Sequence, residues 1–219
     1  MFQNLLITTP IVTRHVKFLT DNNILEVIFD ELIEDLVLPQ TNMIVTDTMS
    51  IPSKDVSKET GWSYKYKGKK CCKVSLTSDT NGVVRQATVE PGNVHDSKVF
   101  KQSMKVDTIG FPITSDRTIK CLADSGYVGD DLYNHCIDHK IEMVVQPRKK
   151  RNGQMTHTLT SENKVLLKKY RSIIEHVNSK VRTFRSVNVK YVKKISTFKT
   201  FLFVALISIT CYCLYLSDQ

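Results

Sequence analysis

The sequence predicts an α/β fold, and three observations carry that prediction. Beyond residue 42, short apolar and β-branched runs alternate with segments whose apolar residues recur at helical spacing. The turn signature Asp79-Thr80-Asn81-Gly82 separates two of those runs and marks an antiparallel hairpin. The chain has 219 residues, 41% apolar and 24% charged, which suits one full core. That balance excludes a large multidomain assembly, a collagen-like or wholly disordered chain and a multi-span membrane protein.

In chain order, Asn23 to Val37 reads as a helix, because Ile24, Leu25, Ile28, Phe29, Leu32, Ile33 and Leu36 fall on one face and Pro39 stops it. Asn42 to Met49 reads as a strand with Asp47 at its carboxyl end. A polar excursion holding Pro52, Gly61 and Gly68 follows, and near its exit Lys65, Lys67, Lys69, Lys70 and Lys73 interleave with Trp62, Tyr64 and Tyr66. The hairpin arms are expected over Cys71 to Thr77 and Val83 to Val89. Pro91, Gly92 and Asn93 break the second arm, and Asp96 or Ser97 is expected to cap a helix running to Met104. Ile119 to Ala123 is a short strand ending in Asp124, Gly129 to Asp138 a helix, and Ile141 to Val145 a last strand.

The basic run Pro147 to Gly153 reads as an exposed loop. From Ser161 a long helix is expected, with Val165, Leu166, Tyr170, Ile173, Ile174, Val177, Val181 and Phe184 as its apolar stripe. The closing run Phe201 to Leu216 has 16 largely apolar residues. It falls short of the ~17–25 that a spanning helix needs, so it is read as a buried helix covering the sheet, with no membrane contact expected.

The net charge of +9 is unevenly placed: residues 1–45 carry −4, residues 46–160 carry +5 and residues 161–219 carry +8. A basic rear behind an acidic front points to a polyanion contact on one face. The six cysteines include no Cys-x-x-Cys pair and are expected to be reduced and mostly buried. His135 and His139 stand four apart without the intervening Glu of a zinc protease, and no structural zinc is expected.

Three acids stand where a solvated charge is not expected. Asp47 and Asp124 end strands, and Glu175 sits between Ile174 and Val177 on the basic helix. The carboxyl ends of neighbouring strands form a natural cleft in an open sheet, and a helix laid across them brings Glu175 opposite the aspartates. Three hard oxygen donors from separate elements suit Mg²⁺ or Mn²⁺. Each acid also has a plainer reading: a strand-end Asp often serves a turn or cap, and a helical Glu often pairs with a neighbouring cation.

The segments Ile44-Val45-Thr46-Asp47-Thr48, Lys67-Gly68-Lys69-Lys70, Asn93-Val94-His95-Asp96-Ser97, Leu122-Ala123-Asp124-Ser125-Gly126-Tyr127 and the stretch from Arg171 through Glu175 to Arg182 resemble the catalytic domain of DDE transposases of the bacterial insertion-sequence type. The resemblance spans about residues 42–216. It implies a ribonuclease H-like mixed sheet with flanking helices over 42–219, closed by the apolar terminal helix, behind a helical extension over 1–41. It implies catalytic, metal-binding roles for Asp47, Asp124 and Glu175, with Mg²⁺ (Mn²⁺ possible) as cofactor. It further implies DNA strand cleavage followed by 3′-hydroxyl transfer.

Phosphate contacts are expected from Lys67, Lys69, Lys70, Arg171, Lys180, Arg182 and Arg185. Secondary roles fall to His95, to Asp96 as cap or alternative ligand, and to Tyr127 as a packing aromatic near DNA. The expected partners are double-stranded DNA and a second copy in a homodimer. Only 46 residues, acidic ones, precede Asp47. This leaves two expectations: a shortened relative, or one served by a separate DNA-recognition subunit. A DNA-binding remnant without activity and another metal-dependent nuclease are the alternative readings.

Overall fold

The computed structural model describes residues 9–35, 42–63, 66–104, 118–149, 151–190 and 192–217. Leu36, Val37, Tyr64, Lys65 and Lys150, which figure in the sequence expectations, lie outside them.

The chain opens with α1 (Thr9–Asp21) and α2 (Ile24–Asp35). Of the two, only α2 was marked out by its apolar spacing in the sequence. Asn23, at φ +50°, makes the turn between the two helices. On α2, Phe29 and Ile33 are fully buried, while Ile28 is exposed, so its apolar stripe is narrower than expected.

The sheet is built from β1 (Met43–Pro52), β2 (Gly61–Ser63), β3 (Lys69–Asp79), β4 (Val84–Pro91), β5 (Ile119–Ala123) and β6 (Ile141–Val145). Its order is β2-β3-β1-β5-β6, and β4 follows β2 along the outer edge of β3. β3 runs antiparallel to β1, whereas β5 runs parallel to β1 and β6 parallel to β5. The expected hairpin is β3–β4, with Gly82 at φ +81° in its turn. The result is an α/β fold with a mixed sheet and flanking helices, broadly consistent with a ribonuclease H-like arrangement.

Strand parity splits the core in two, because alternate side chains point to opposite faces. Val45, Met49, Ile51, Leu76, Leu122 and Val144 pack on one face beneath α5 (Ser161–Thr183) and α6 (Ile195–Ser217). Ile44, Cys121, Ala123, Ile141 and Val145 pack on the other against α3 (Asp96–Ser103) and α4 (Asp130–Asp138). On α5 the buried stripe is Leu167, Ile174, Val177 and Val181. Val165, expected in that stripe, is 64% exposed, because it lies roughly half a turn around the helix from Leu167 and Ile174.

The helix α6 begins six residues earlier than expected. Its first amide, Ile195 N, donates to Asp55 Oδ2 at 2.8 Å, so a distant carboxylate caps its amino end. Ile195, Leu202, Ala205 and Leu206 are wholly buried and join α2, α5 and the sheet in one core. By length and composition Ile195–Cys213 is long and apolar enough to cross a membrane, although this same segment supplies those core residues. All six cysteines are free thiols, and Cys71, Cys72, Cys121 and Cys136 are buried.

Candidate active site

Asp47 lies inside β1, not at its end as expected, because β1 runs on to Pro52 as the partner of β3. The parallel pairing of β1 with β5, however, stops at Val45 opposite Leu122. Carrying that register two residues onward sets Asp47 opposite Asp124. Both aspartates share parity with Val45 and Leu122, so both turn to the face covered by α5. Asp47, Asp124 and Glu175 therefore line one cleft of about 550 Å³, together with Thr46, Gln146 and Arg171.

Each carboxylate has its own partner there. Asp47 Oδ2 accepts from Asn178 Nδ2 at 3.0 Å. Asp124 Oδ1 accepts from Ser125 N at 2.7 Å, capping the short turn Ser125–Tyr127, so the plainer cap reading of this residue also holds. Glu175, two-thirds exposed, pairs with Arg171 Nε at 3.6 Å, one helical turn away. Among the described residues no three His, Cys, Asp or Glu side chains stand close enough to hold one metal ion. Burial pushes the Asp47 carboxyl above its ordinary range, and the charge of Asp124 adds to it, against the lowering hydrogen bonds from Thr48 and Asn178. A carboxylate strained by burial and by a facing carboxylate is the donor set that a divalent cation suits.

A wider recess of about 1280 Å³ opens from the same two aspartates on the far side and is lined by Trp62, Lys73, Asn93, His95, Asp96 and Tyr127. His95, and neither Asp96 nor Ser97, caps α3: its Nδ1 accepts from Ser97 N. Asp96 sits in the first turn and meets Lys73 Nζ at 2.7 Å, while Lys73 also donates to Val94 O at 2.6 Å. Tyr127 packs in the core, 1% exposed and edge-on to Phe100. Burial raises its phenol pKa well above the usual value, and the carboxylates of Asp96 and Asp47 add to this, so it stays a neutral donor.

The expected basic contacts divide. Arg171 lines the cleft, and Arg182 follows Glu175 by seven residues on the same helix face, about 10 Å along the axis. Lys180, Arg182 and Arg185 are exposed and line neither recess. Lys67, Lys69 and Lys70 sit at the start of β3. Asp47 pairs with Leu76 on that strand, so Lys70 is six residues, about 20 Å, from the acids. This group does not join the cleft. Asn178, Gln146 and Lys73 were missed. Only Asn178 had a local signal, three residues after Glu175 and hence on the same helix face.

The model of the family described as "Transposase DDE domain" matches residues 39–210. The chain belongs to that family. No curated protein matches it. Among solved structures, the chain is similar to one in the cryo-EM structure of the simian T-cell lymphotropic virus intasome in complex with PP2A regulatory subunit B56 gamma. That match has 13% identity and a TM-score of 0.45, and covers 78% of this chain and 48% of the other. The transposase DDE chain thus spans about half the length of the chain it matches.

Proposed function

We propose that this chain is a DDE transposase of ribonuclease H-like fold that cleaves a DNA strand and transfers the resulting 3′-hydroxyl to a target phosphodiester. The observation that carries this reading is the shared cleft of Asp47, Asp124 and Glu175, placed there by two parallel strands and the helix laid across them. Asp47 and Asp124 are the proposed main ligands of Mg²⁺, with Glu175 completing the set, and Mn²⁺ is expected to substitute. A divalent cation bound there supplies a more acidic water or 3′-hydroxyl and charge stabilisation for the leaving oxygen.

The chain's own residues hold that arrangement. Asn178 orients Asp47 through its amide. Arg171 neutralises Glu175 in the free protein and is placed to turn to a phosphate, since a guanidinium binds carboxylate and phosphate with the same fork. The exposed cations of α5 extend that basic face toward the duplex. A second copy is proposed to hold the other element end, and a separate recognition subunit remains part of the proposal for finding it.

The test is nicking of a supercoiled plasmid by the purified chain with Mg²⁺. Activity is expected in the wild type and lost in Asp47→Asn, Asp124→Asn and Glu175→Gln, each folded by circular dichroism. Nicking that survives all three substitutions would sink the assignment. A second reading, a DNA-binding relative without cleavage, draws on the separate partners that the three carboxylates take here. It predicts salt-sensitive binding with no nicking under any divalent ion. Hydrolysis without strand transfer would instead indicate another metal-dependent nuclease.

A further inference from the structure

The basic segment after β6, expected from sequence to be an exposed loop, forms a hairpin braced through its described residues. Thr156 N donates to Arg148 O at 2.9 Å, Arg148 N donates to Thr156 Oγ1 at 3.0 Å, and Lys149 bridges Met155. At its tip Gly153 adopts φ +84°, and Asn152 and Gln154 bond to each other through two contacts. A further chain of bonds fixes its base. His157 Nε2 lies 2.9 Å from Val145 O, which can only accept, so this nitrogen carries the proton. In the neutral ring, Nδ1 then accepts from the Thr156 hydroxyl at 3.0 Å. The His157 ring meets Tyr133 of α4 edge-on, tying the hairpin to the body of the fold.

Three exposed cations of this element, Arg148, Lys149 and Arg151, share one shallow recess with Val128 and Thr156. None of the three joins a salt bridge among the described residues, whereas Lys73, Arg85, Lys101 and Lys120 all do. Its position is set by register. Ala123 pairs with Val145, so Gln146 falls beside Asp124 and itself lines the acid cleft. Arg148 is two residues farther, about 7 Å. Exposed positive charge that meets no acid among the described residues, held beside an acidic cleft, is a site for a polyanion whose phosphates continue past the cleft.

We infer that the Arg148–Thr156 hairpin is a preformed clamp for the DNA backbone flanking the cleavage position. The inference rests on the proposed action on DNA and adds to it the element that holds the duplex. Neutralising three phosphates contributes about 0.9 each to the slope of log affinity against log salt.

The experiment measures binding of the full chain to a labelled 30-base-pair duplex by fluorescence anisotropy at several salt concentrations. The triple variant Arg148→Gln, Lys149→Gln, Arg151→Gln is expected to flatten the slope by about 2 to 3 and to weaken binding at least tenfold at the lowest salt. Thr156→Val keeps all three charges and removes the hydroxyl's two bonds from the brace, to Arg148 N and His157; it is expected to weaken binding several-fold at an unchanged slope. A triple variant with the wild-type slope overturns the clamp while leaving the cleavage site untouched. Wild-type affinity in Thr156→Val overturns its preformed character. A wild-type chain that binds no duplex overturns the DNA reading itself, and the clamp with it.

Discussion

Asn178 Nδ2 donates to Asp47 Oδ2 at 3.0 Å and so joins α5 to β1 across 131 residues of sequence. The acceptor is a carboxylate whose pKa burial already raises, and this bond favours its charged form. Asn178→Ala is therefore expected to cost about 1–2 kcal/mol at neutral pH, a fall of roughly 3–6 °C in Tm for a chain of this size. The loss should shrink as pH drops through the raised folded pKa of Asp47, because the protonated acid needs the donor less. Thermal melts at pH 7 and pH 4 check this, and an equal loss at both would refute it.

Asp47 itself acts in the opposite sense on the whole fold. A carboxyl whose folded pKa lies above its unfolded value binds more protons when folded, so stability falls as pH rises between the two values and stays lower above both. Asp47→Asn removes that burden. It is expected to raise Tm at pH 7 by about 2 °C and, under the proposed function, to abolish a stabilisation by millimolar Mg²⁺ that is expected in the wild type. Differential scanning fluorimetry with and without Mg²⁺ measures both effects; a variant that melts lower, or one that still responds to Mg²⁺, contradicts the reading.

The β3–β4 hairpin hangs on one buried ion pair. Asp79, fully buried, accepts from Arg85 Nη2 at 2.8 Å and Nε at 3.1 Å, and its other oxygen takes the amides of Asn81 and Val83. Asp79→Ala takes away the carboxylate that faces the buried Arg85 guanidinium, and breaking a buried pair in this way costs about 3–5 kcal/mol. Urea titration should show the midpoint falling with little change in slope. A midpoint within error of the wild type would show that neither the ion pair nor the turn bonds of Asp79 hold the hairpin.

Local pattern made most of the sheet legible: Ile119–Ala123 and Ile141–Val145 were read to the residue, since an apolar run with a polar stop needs no distant partner. The meeting of Asp47 and Asp124 was expected from strand ends alone; their shared face follows from pairing and parity, since Asp47 lies inside β1. What pattern could not give was pairing beyond the β3–β4 hairpin. The extension of β1 past Asp47 depends on β3, and the remoteness of Lys67 to Lys70 depends on the direction in which β3 runs. The contacts of Lys73 with Asp96 and of Asn178 with Asp47 join elements 23 and 131 residues apart, and no short window holds both partners.

Thiol chemistry gives an independent check on the two-faced core. Burial pushes the Cys72 thiol up to about 12 and the Cys136 thiol to about 11, and it holds Cys121 well above the ordinary value. Only thiolate reacts, so these three should stay silent to a disulfide reagent at pH 8, while exposed Cys211 on α6 reacts first. Mass mapping after brief labelling reads this directly. Rapid modification of Cys121 or Cys136 would mean that α3 and α4 do not seal their face of the sheet.

Trp62 is the single tryptophan of the chain and is 64% exposed, turned outward from β2 between buried Gly61 and Ser63. It lines the recess that opens from Asp47 and Asp124, so under the proposed function it offers a stacking surface to an unpaired base beside the cleavage position. Stacking of a base on an aromatic ring is worth about 1–3 kcal/mol by alanine substitution. Trp62→Ala should therefore weaken binding of a duplex with one unpaired base at its end by at least about fivefold, and that of a fully paired duplex far less. The same residue is its own reporter, because stacking quenches indole fluorescence and no second tryptophan contributes. A fluorescence signal that stays constant while anisotropy shows the frayed duplex bound would place the base elsewhere.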